Sequence, residues 1–381
     1  MTKNNEHKNL NVPDLRFPEF SGEWVETELQ DIVPNICSGK DRISNSGEVA
    51  LYGSTGVIGR TNSASYKENI VLVARVGANA GQMQIGNAPC GVTDNTLVID
   101  AKEWNYYIYY FLQHYNLNRL VFGSGQPLIT GGMLKRIKVR YGCKAERNNI
   151  TRLLCLIDER IATQNKIIEK YESLIQAMCD TLIESEQLKV ELSFNDFGKP
   201  YSGLSGKSAE DFGNGWPYIT YMNVYQNQII DITDVGLVKI NETEQQSVVR
   251  YGDILFTLSS ETPDEVGMGA VYLGDAYPLY LNSFCFGVHI TDESKIFSPF
   301  LAYYISTKSF RKAVFPLAQG STRFNLQKND FMKKIFHFPT VKKQSEIYSV
   351  LKAYSDKLSI EKNIVNLLCE QKSYLLRQLF I

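Results

Sequence analysis

The side chains best suited to chemistry in this 381-residue sequence are cations gathered in two segments. Residues 104–145 carry six Lys or Arg and no acid, and residues 295–342 carry nine against Asp330 alone. The intervening residues 192–294 carry four cations and fourteen acids. Although the chain has a formal net charge of −1, this segregation predicts local phosphate-binding surfaces. The near-neutral net charge excludes a uniformly cationic surface that would bind any polyanion by charge alone.

Each cationic segment contains a loop with Gly and Ser, at 123–127 and at 320–324. Cationic side chains position a protein on phosphates, and polar side chains in adjacent loops read base edges. By residue type, Arg323 suits a bidentate contact to guanine, and Gln126 at the aligned position suits adenine. A solvated helix face is the alternative interpretation, and it is the better one for each lysine taken singly.

Enzyme signatures are weak or missing. GKS at 206–208 resembles the end of a phosphate-binding loop, but Tyr201 stands where that loop requires glycine. PD at 263–264 and ESK at 293–295 resemble the acidic pair and lysine of metal-dependent nucleases, yet so short a pattern arises by chance in an acidic segment. The sequence also lacks the Asn/Asp-Pro-Pro-aromatic motif of amino-methyltransferases. We therefore expect no catalytic residues.

Cysteine and histidine are scattered. The seven cysteines and four histidines form no C-x-x-C or H-E-x-x-H pattern, so neither a metal site nor a disulfide framework is expected. The sequence has no run of 18 apolar residues and a polar N-terminus, which favours a cytoplasmic protein without a membrane span or signal peptide.

Two segments carry apolar residues at heptad spacing. Nine of ten seam positions in 150–182 and eight of ten in 347–379 are apolar or tyrosine, and the two sets lie 197 residues apart without a gap. A heptad pattern sustained over more than four heptads predicts two long coiled-coil helices. The seam residues that we expect at their centre are Ile157, Ile161, Gln164, Ile168, Leu358, Glu361 and Val365.

Both seams are interrupted at equivalent positions, Gln164 and Glu361. A polar residue at one seam position costs stability but can set the register of a helix pair. We expect this pair to mark the centre of the helix pairing, with a tolerated polar surface position as the alternative.

The repeat continues upstream of each helix, where LITGGMLKRI at 128–137 aligns with LQKNDFMKKI at 326–335. SGK at 38–40 matches SGK at 205–207, and the offset there is 167 instead of 197. The second half therefore carries about 30 additional residues, chiefly in its acidic early part. The predicted division is a first globular domain at 1–145, a long helix at 146–190, a second globular domain at 191–342 and a C-terminal long helix at 343–381.

Within each globular part, β-branched runs such as 70–76 and 252–258 predict strands. The aromatic stretches at 104–111 and 300–305 have helical length. Base stacking by these aromatic residues is possible, but their apolar neighbours favour core packing. The coarse prediction is a mixed sheet with one or two helices in each part.

These motifs together resemble one family, the DNA-specificity (S) subunit of type I restriction–modification enzymes, over essentially the whole chain. The resemblance is carried by LRFPEF at 15–20, LYGSTGVIG at 51–59, GSGQPLITGGMLKRI at 123–137, IDERIATQNKIIEKYESL at 157–174, GDILFT at 252–257 and GSTRFNLQKNDFMKKI at 320–335. The sequence departs from the family at Phe324, where proline is frequent.

The resemblance implies an α+β fold in which two pseudo-repeated α/β target-recognition domains are separated by two long helices packed as an antiparallel coiled coil. Each domain would read one half of a bipartite, asymmetric sequence in double-stranded DNA. A helix of about 35 residues is roughly 50 Å long, so the helices are expected to set the spacing between half-sites.

The resemblance also implies partners: two methyltransferase (M) subunits that methylate adenine at N6 and restriction/translocase (R) subunits. S-adenosylmethionine, ATP and Mg²⁺ would be used by those partners, and none would be bound by this chain. The residues that we expect to contact DNA are Lys40, Tyr52, Ser54, Arg75, Ser124, Gln126, Lys135, Arg136, Lys207, Tyr221, Ser259, Ser321, Arg323, Lys333 and Lys334.

Two other classes of function are alternatives. A stand-alone nuclease or methyltransferase would cut or methylate DNA without partners. A purely structural coiled-coil adaptor would have no nucleic-acid role.

Overall fold

The computed structural model describes residues 11–33, 35–121 and 127–381. The chain forms two compact units, which are not continuous in sequence. The first unit comprises Met1–Asn165 and Asn363–Ile381, and the second comprises Lys166–Lys362. Each unit therefore includes part of both long helices.

In the part of the chain that the structure describes, the first unit has short strands and three short α-helices in addition to its share of the long helices. Its strands are β1 (Val25–Glu28), β2 (Ile36–Ser38), β3 (Val49–Gly53), β4 (Gly56–Thr61), β5 (Ile70–Ala74), β6 (Met83–Gly86), β7 (Cys90–Val92), β8 (Thr96–Ile99) and β9 (Lys138–Tyr141). Its helices are α1 (Leu29–Ile32), α2 (Asn105–Tyr115), α3 (Gly131–Lys135), the first part of α4 (Lys144–Glu184) and the end of the C-terminal helix.

The first unit has two main sheets. A four-stranded antiparallel sheet has the order β2-β8-β5-β6, and a three-stranded sheet has the order β4-β3-β7, with β3 and β7 parallel. The central strand β5 is buried along its whole length. Its side chains alternate between two cores, with Val71 and Val73 on one face and Ile70 and Leu72 on the other. A run of apolar β-branched residues forms this strand because both of its faces are covered.

The second unit repeats this design with additional elements. Its strands are β10 (Lys189–Leu192), β11 (Gly198–Ser202), β12 (Phe212–Ile219), β13 (Val235–Val238), β14 (Ile254–Thr257), β15 (Ser259–Ser260), β16 (Gly269–Val271), β17 (Tyr280–Leu281), β18 (Cys285–Ile290), β19 (Ala318–Gln319), β20 (Phe324–Leu326) and β21 (Phe336–Pro339). Its helices are the second part of α4, α5 (Tyr221–Gln226), α6 (Ser298–Tyr304), α7 (Lys308–Val314), α8 (Lys328–Lys333) and the first part of α9 (Val341–Leu379).

The sheets of the second unit have the same connectivity as those of the first. The four-stranded sheet has the order β11-β18-β14-β16, and the three-stranded sheet has the order β13-β12-β17, again with one parallel pair. The central strand β14 also divides two cores, since Ile254 and Phe256 face one and Leu255 faces the other. A further small sheet, β15-β20-β19, is described in the second unit.

Gly39 and Gly203 occupy equivalent positions in the two units. Each follows the first strand of the four-stranded sheet, and their backbone N–H groups donate to Thr96 and Cys285 in the neighbouring strand region. A Cβ atom would lie 2.2 Å from a backbone oxygen at Gly39 and 2.0 Å from one at Gly203. Only glycine therefore fits this close approach of two backbones.

This equivalence shows that the predicted register of SGK at 38–40 with SGK at 205–207 is wrong. The second unit has a buried leucine, Leu204, directly after the equivalent glycine. A match of three common residues was too short to fix the alignment across an insertion.

Both predicted aromatic stretches pack in the cores. Tyr107 of α2 and Tyr304 of α6 are buried, and their hydroxyls donate to the backbone oxygens of Arg140 (2.8 Å) and His337 (3.2 Å). The rings therefore hold the short helices against the strands that precede the long helices, and they are not available to stack on bases.

The long helices α4 and α9 bury their heptad seams. In the first unit Ile157 is buried and Ile161 and Val365 are half-buried, and in the second unit Ile168 and Leu358 are half-buried. The polar seam residues Gln164 and Glu361 are 8% and 7% exposed. Lys357 forms an ion pair with Glu361 one turn along the same helix, at 2.5 Å.

Ion pairs show how segments of α4 and α9 run against each other. In the second unit Lys362 pairs with Glu172 (2.7 Å), and Lys343 pairs with Glu186, just beyond α4 (4.0 Å). One sequence number falls as its partner's rises, so these segments are antiparallel. The predicted α+β fold with two repeated domains and two long packed helices is confirmed. Within the described ranges, no helix is both long enough and apolar enough to span a bilayer.

Candidate nucleic-acid interface

In both units the chain before the short helix α3 or α8 pairs with the continuation of the central strand. In the second unit Leu326 N–H donates to Leu258 O (2.8 Å), and β20 pairs with β15. In the first unit Ile129 N–H donates to Arg75 O (2.9 Å), and Leu128 forms a β-bridge to Val76. The cationic segments are thus anchored at equivalent ends of the two central sheets.

In the second unit this anchoring creates a groove of about 420 Å³. Three of the predicted DNA contacts, Tyr221, Ser259 and Arg323, line it together. The other residues that line the groove are Met222, Tyr225, Ser260, Glu261, Glu265 and Phe284. Phe284 and Met222 are large side chains left 57% and 46% exposed.

One wall of the groove is a pair of tyrosines on α5. The rings of Tyr221 and Tyr225 are stacked, with centroids 6.0 Å apart and planes 16° apart, because residues four apart lie on the same face of a helix. The Tyr221 hydroxyl donates to Ser259 O (2.7 Å), and the Tyr225 hydroxyl donates to Glu265 (2.7 Å). The two tyrosines are therefore hydrogen-bonded both to β15 and to the loop that contains Glu265.

Both tyrosines stay protonated under ordinary conditions. Burial is the main factor that raises the pKa of Tyr221, and the hydrogen bond to the Glu265 carboxylate raises the pKa of Tyr225. Each hydroxyl can therefore keep donating to its acceptor.

Residues 261–267 form an acidic loop, and Arg311 of α7 binds the backbone of this loop. Its guanidinium donates to three backbone oxygens, those of Gly267 (2.8 Å), Asp264 (2.7 Å) and Val266 (2.7 Å). A planar guanidinium can satisfy several converging carbonyls at once. Although Arg311 belongs to the cationic segment, its charged group is used to shape the groove.

Arg323 lines the same groove from the loop between β19 and β20. Its side chain is exposed, and within the described residues its guanidinium makes no hydrogen bond or ion pair. The loop turns at Gly320, which has a φ of +142° and whose missing side chain leaves room for the Arg323 carbonyl. The loop therefore presents a guanidinium with all its donors available.

In the first unit three predicted contacts gather near one turn. Asn95 O accepts from Arg75 N–H (3.0 Å) and from the Ser54 hydroxyl (3.1 Å). The Arg75 guanidinium donates to the Ser38 hydroxyl (3.3 Å), and Lys40 is exposed two residues further on. Ser54, Arg75 and Lys40 thus lie around the 93–96 turn. Ser124 and Gln126 are outside the described residues.

Two residues that were predicted to contact DNA are instead buried and bonded to other residues of the protein. Tyr52 is 8% exposed in a core, and its hydroxyl accepts from Asn87 N–H (3.2 Å). The Lys207 side chain is 5% exposed and pairs with Glu244 at 2.5 Å, and this contact holds the pKa of Glu244 below its usual value. Tyr52 and Lys207 are therefore not presented to a ligand.

The remaining predicted contacts lie on the surface near the short helices. Lys135 ends α3, and Arg136 is exposed beside it. Lys333 and Lys334 are exposed at the end of α8, and Lys334 lines a different cavity from that of Arg323. Ser321 is exposed in the Arg323 loop.

The groove also contains residues that the sequence did not single out: Tyr225, Glu261, Phe284 and Met222. The spacing of Tyr221 and Tyr225 was the one available signal, because an i,i+4 aromatic pair on a helix forms a single surface. Nothing local connects Glu261 or Phe284 with that pair.

Two residues of the weak nuclease-like motif make contacts within the fold. Asp264 contributes its backbone oxygen to Arg311, and Lys295 pairs with Asp292 at 3.0 Å. Across the described ranges, no three His, Cys, Asp or Glu side chains gather so that they could hold a metal ion.

Comparison with known proteins follows the same two-part division. The family model for the type I restriction modification DNA specificity domain matches twice, at residues 21–173 and 202–369. No curated protein matches the sequence.

Two solved structures resemble the fold. The crystal structure of a type I restriction-modification system S subunit from M. genitalium is 17% identical, with a TM-score of 0.61, and the match covers 97% of this chain and 99% of that one. A structure concerned with complex assembly and conformational transition of the type I R-M system is 12% identical, with a TM-score of 0.54, and covers 96% of this chain and 98% of that one. At these identities the structural likeness concerns the fold, and the two family-model matches span most of the sequence. This chain therefore belongs to the type I restriction modification DNA specificity domain family.

Proposed function

We propose that the chain is the specificity subunit of a type I restriction–modification complex and reads a bipartite, asymmetric DNA target, one part with each unit. The observation that carries this proposal is the repeated architecture. Both units have the same two sheets in the same strand order, and both anchor a cationic segment on the continuation of the central strand. Two such similar frames with different loop residues suit recognition of two different half-sites.

The chemistry in this proposal belongs to partner subunits. Methyltransferase subunits would methylate adenine at N6 with S-adenosylmethionine, and restriction/translocase subunits would use ATP and Mg²⁺. This chain would contribute target selection and recruitment without a catalytic step. The absence of cofactor motifs from the sequence supports that division of labour.

Mapping of methylated adenines tests the proposal. DNA from cells that express this chain with its methyltransferase subunits is expected to carry N6-methyladenine in one asymmetric motif made of two defined parts and an unspecified gap. A single continuous motif, or methylation without sequence preference, would contradict the bipartite reading. Methylation or cleavage by the purified chain alone would contradict the non-catalytic role.

A further inference from the structure

The groove of the second unit contains both hydrogen-bond donors and acidic acceptors, an unusual combination for a surface proposed to bind DNA. Arg323 presents an unpaired guanidinium, whereas Glu261 and Glu265 add carboxylates to the same groove. A carboxylate near phosphates costs electrostatic free energy in every sequence. It is useful where it accepts a hydrogen bond from a base, because it then favours one partner over others.

The two carboxylates have different environments. Glu265 is half-buried and already accepts from the Tyr225 hydroxyl at 2.7 Å. Glu261 is exposed, and among the described residues it has no hydrogen-bond donor or cation. Glu265 therefore supports the tyrosine wall, and Glu261 is the acceptor that the groove offers to a ligand.

The hydrogen-bonding pattern of the groove matches one type of base pair. In the major groove a G·C pair presents two adjacent acceptors, N7 and O6 of guanine, followed by the N4 amino donor of cytosine. An A·T pair presents acceptor, donor and acceptor. Arg323 supplies two parallel donors and Glu261 supplies an acceptor, which complements the G·C order and clashes with the A·T order.

We infer that the second unit reads one G·C pair through the major groove, with Arg323 on guanine and Glu261 on the cytosine amino group of the same pair. This inference rests on the proposed function and adds the identity of a base pair and the second side chain that reads it. Tyr221, Tyr225 and Arg311 are positioning residues, because they shape the groove without supplying its free donors and acceptor.

The test uses the complex of the full chain with its methyltransferase subunits and a library of duplexes randomised one base pair at a time across the mapped target. For Arg323→Ala and for Glu261→Ala, the preference for G·C at one and the same position is expected to fall roughly tenfold or more. Preferences at the other positions are expected to stay as in the wild type. Glu261→Ala is also expected to keep or raise the affinity for non-target duplex, because an acid has been removed.

Two exposed residues of the same unit supply matched controls. Arg250→Ala and Glu242→Ala make the same changes outside the groove, and they are expected to leave every position unchanged.

Three results would overturn the inference. An equal loss over all sequences for Arg323→Ala would make Arg323 a phosphate contact. Relaxation at an A·T pair, or at different positions for the two variants, would exclude the shared G·C pair, as would unchanged selectivity. These results all require a wild-type complex with a defined target, so they differ from failure of the proposed function, in which the wild type itself has no defined target.

Discussion

The first unit joins β3 to β4 through Ser54 and Thr55 alone, whereas the second unit joins β12 to β13 through residues 220–234, which include α5. The sheets on either side keep the same strand order in both units. The inserted connection supplies the tyrosine wall of the groove, and the first unit has only a tight turn at that place. A repeated scaffold therefore keeps the same strand order, while the length of one connection changes which side chains the surface presents.

The largest effects are expected for buried aromatic side chains in the cores of the two units. Phe331 is fully buried among aromatic rings of the second unit, and Phe380 is 3% exposed against Tyr107 and Phe111 of the first. Truncation to alanine is expected to cost about 3–5 kcal/mol in either case.

Hydrogen exchange should locate the loss in the second unit for Phe331→Ala and in the first for Phe380→Ala. The half-exposed Phe315 supplies a control, and Phe315→Ala is expected to change the free energy of unfolding far less. Equal loss of protection in both units for either core variant would show that they are not independent.

A smaller effect is expected at Asn223, which holds the inserted connection of the second unit. Its buried amide donates to Asp231 O (2.7 Å) and Asp234 O (2.6 Å) and accepts from Asp231 N–H (3.0 Å). Asn223→Ala is expected to cost about 2–4 kcal/mol, because four side-chain hydrogen bonds are lost in a buried site, the fourth being the one that the amide oxygen accepts from the Asn227 amide (3.1 Å). Denaturant unfolding measures this, with the exposed Asn214→Ala as the control. A loss below that of the control would mean that the connection does not depend on the amide.

A smaller effect on stability is expected at Arg311, which holds the backbone of the acidic loop of the second unit. Arg311→Lys keeps the charge but cannot reach three carbonyls with one planar group, so we expect a loss of about 1.5–3 kcal/mol and faster hydrogen exchange at 264–267. Lys312→Ala, at the exposed neighbouring position, is the control and should change neither quantity. Unchanged hydrogen exchange at 264–267 in Arg311→Lys would mean that Arg311 does not stabilise the loop that lines the groove.

The smallest effect is expected on the salt dependence of DNA binding, and it should differ between Lys40 and Lys207, the two lysines of the SGK tripeptides. Lys40 is exposed in the first unit, whereas Lys207 is paired with Glu244 in the second. Lys40→Ala is expected to reduce the slope of log K against log salt by about 0.9 for DNA binding by the complex, as for one lost phosphate contact. Lys207→Ala is expected to leave that slope unchanged. The reverse result would mean that the Lys207–Glu244 pair opens on DNA.

The repeated frame and the long helices could be predicted because their signals are periodic. Ten seam positions at heptad spacing outweigh any single substitution, and Ile70 to Val73 form a continuous apolar run that only a strand covered on both faces accounts for here. The segregation of cations also led to Arg323, which lies in the groove.

Which of the candidate side chains are free to bind a ligand could not be predicted, because this depends on contacts between residues far apart in sequence. Lys207 is neutralised by Glu244, Arg311 is turned toward 264–267, and Tyr52 is placed in a core by its strand pairing. Residue type predicts that such side chains can bind phosphate or bases, but only the tertiary fold decides whether they are free to do so. Across the inserted connection, the register could not be recovered from a tripeptide.

The discontinuity of the first unit has a consequence for biosynthesis. Leu375, Leu379 and Phe380 complete the same core as Trp24 and Tyr107, although the whole second unit lies between them in the chain. A ribosome therefore releases every residue of the second unit before it releases the residues that close the first. The second unit can reach its final fold earlier, and the nascent first unit must wait with part of its apolar surface uncovered, which makes this interval the natural point for a chaperone to act.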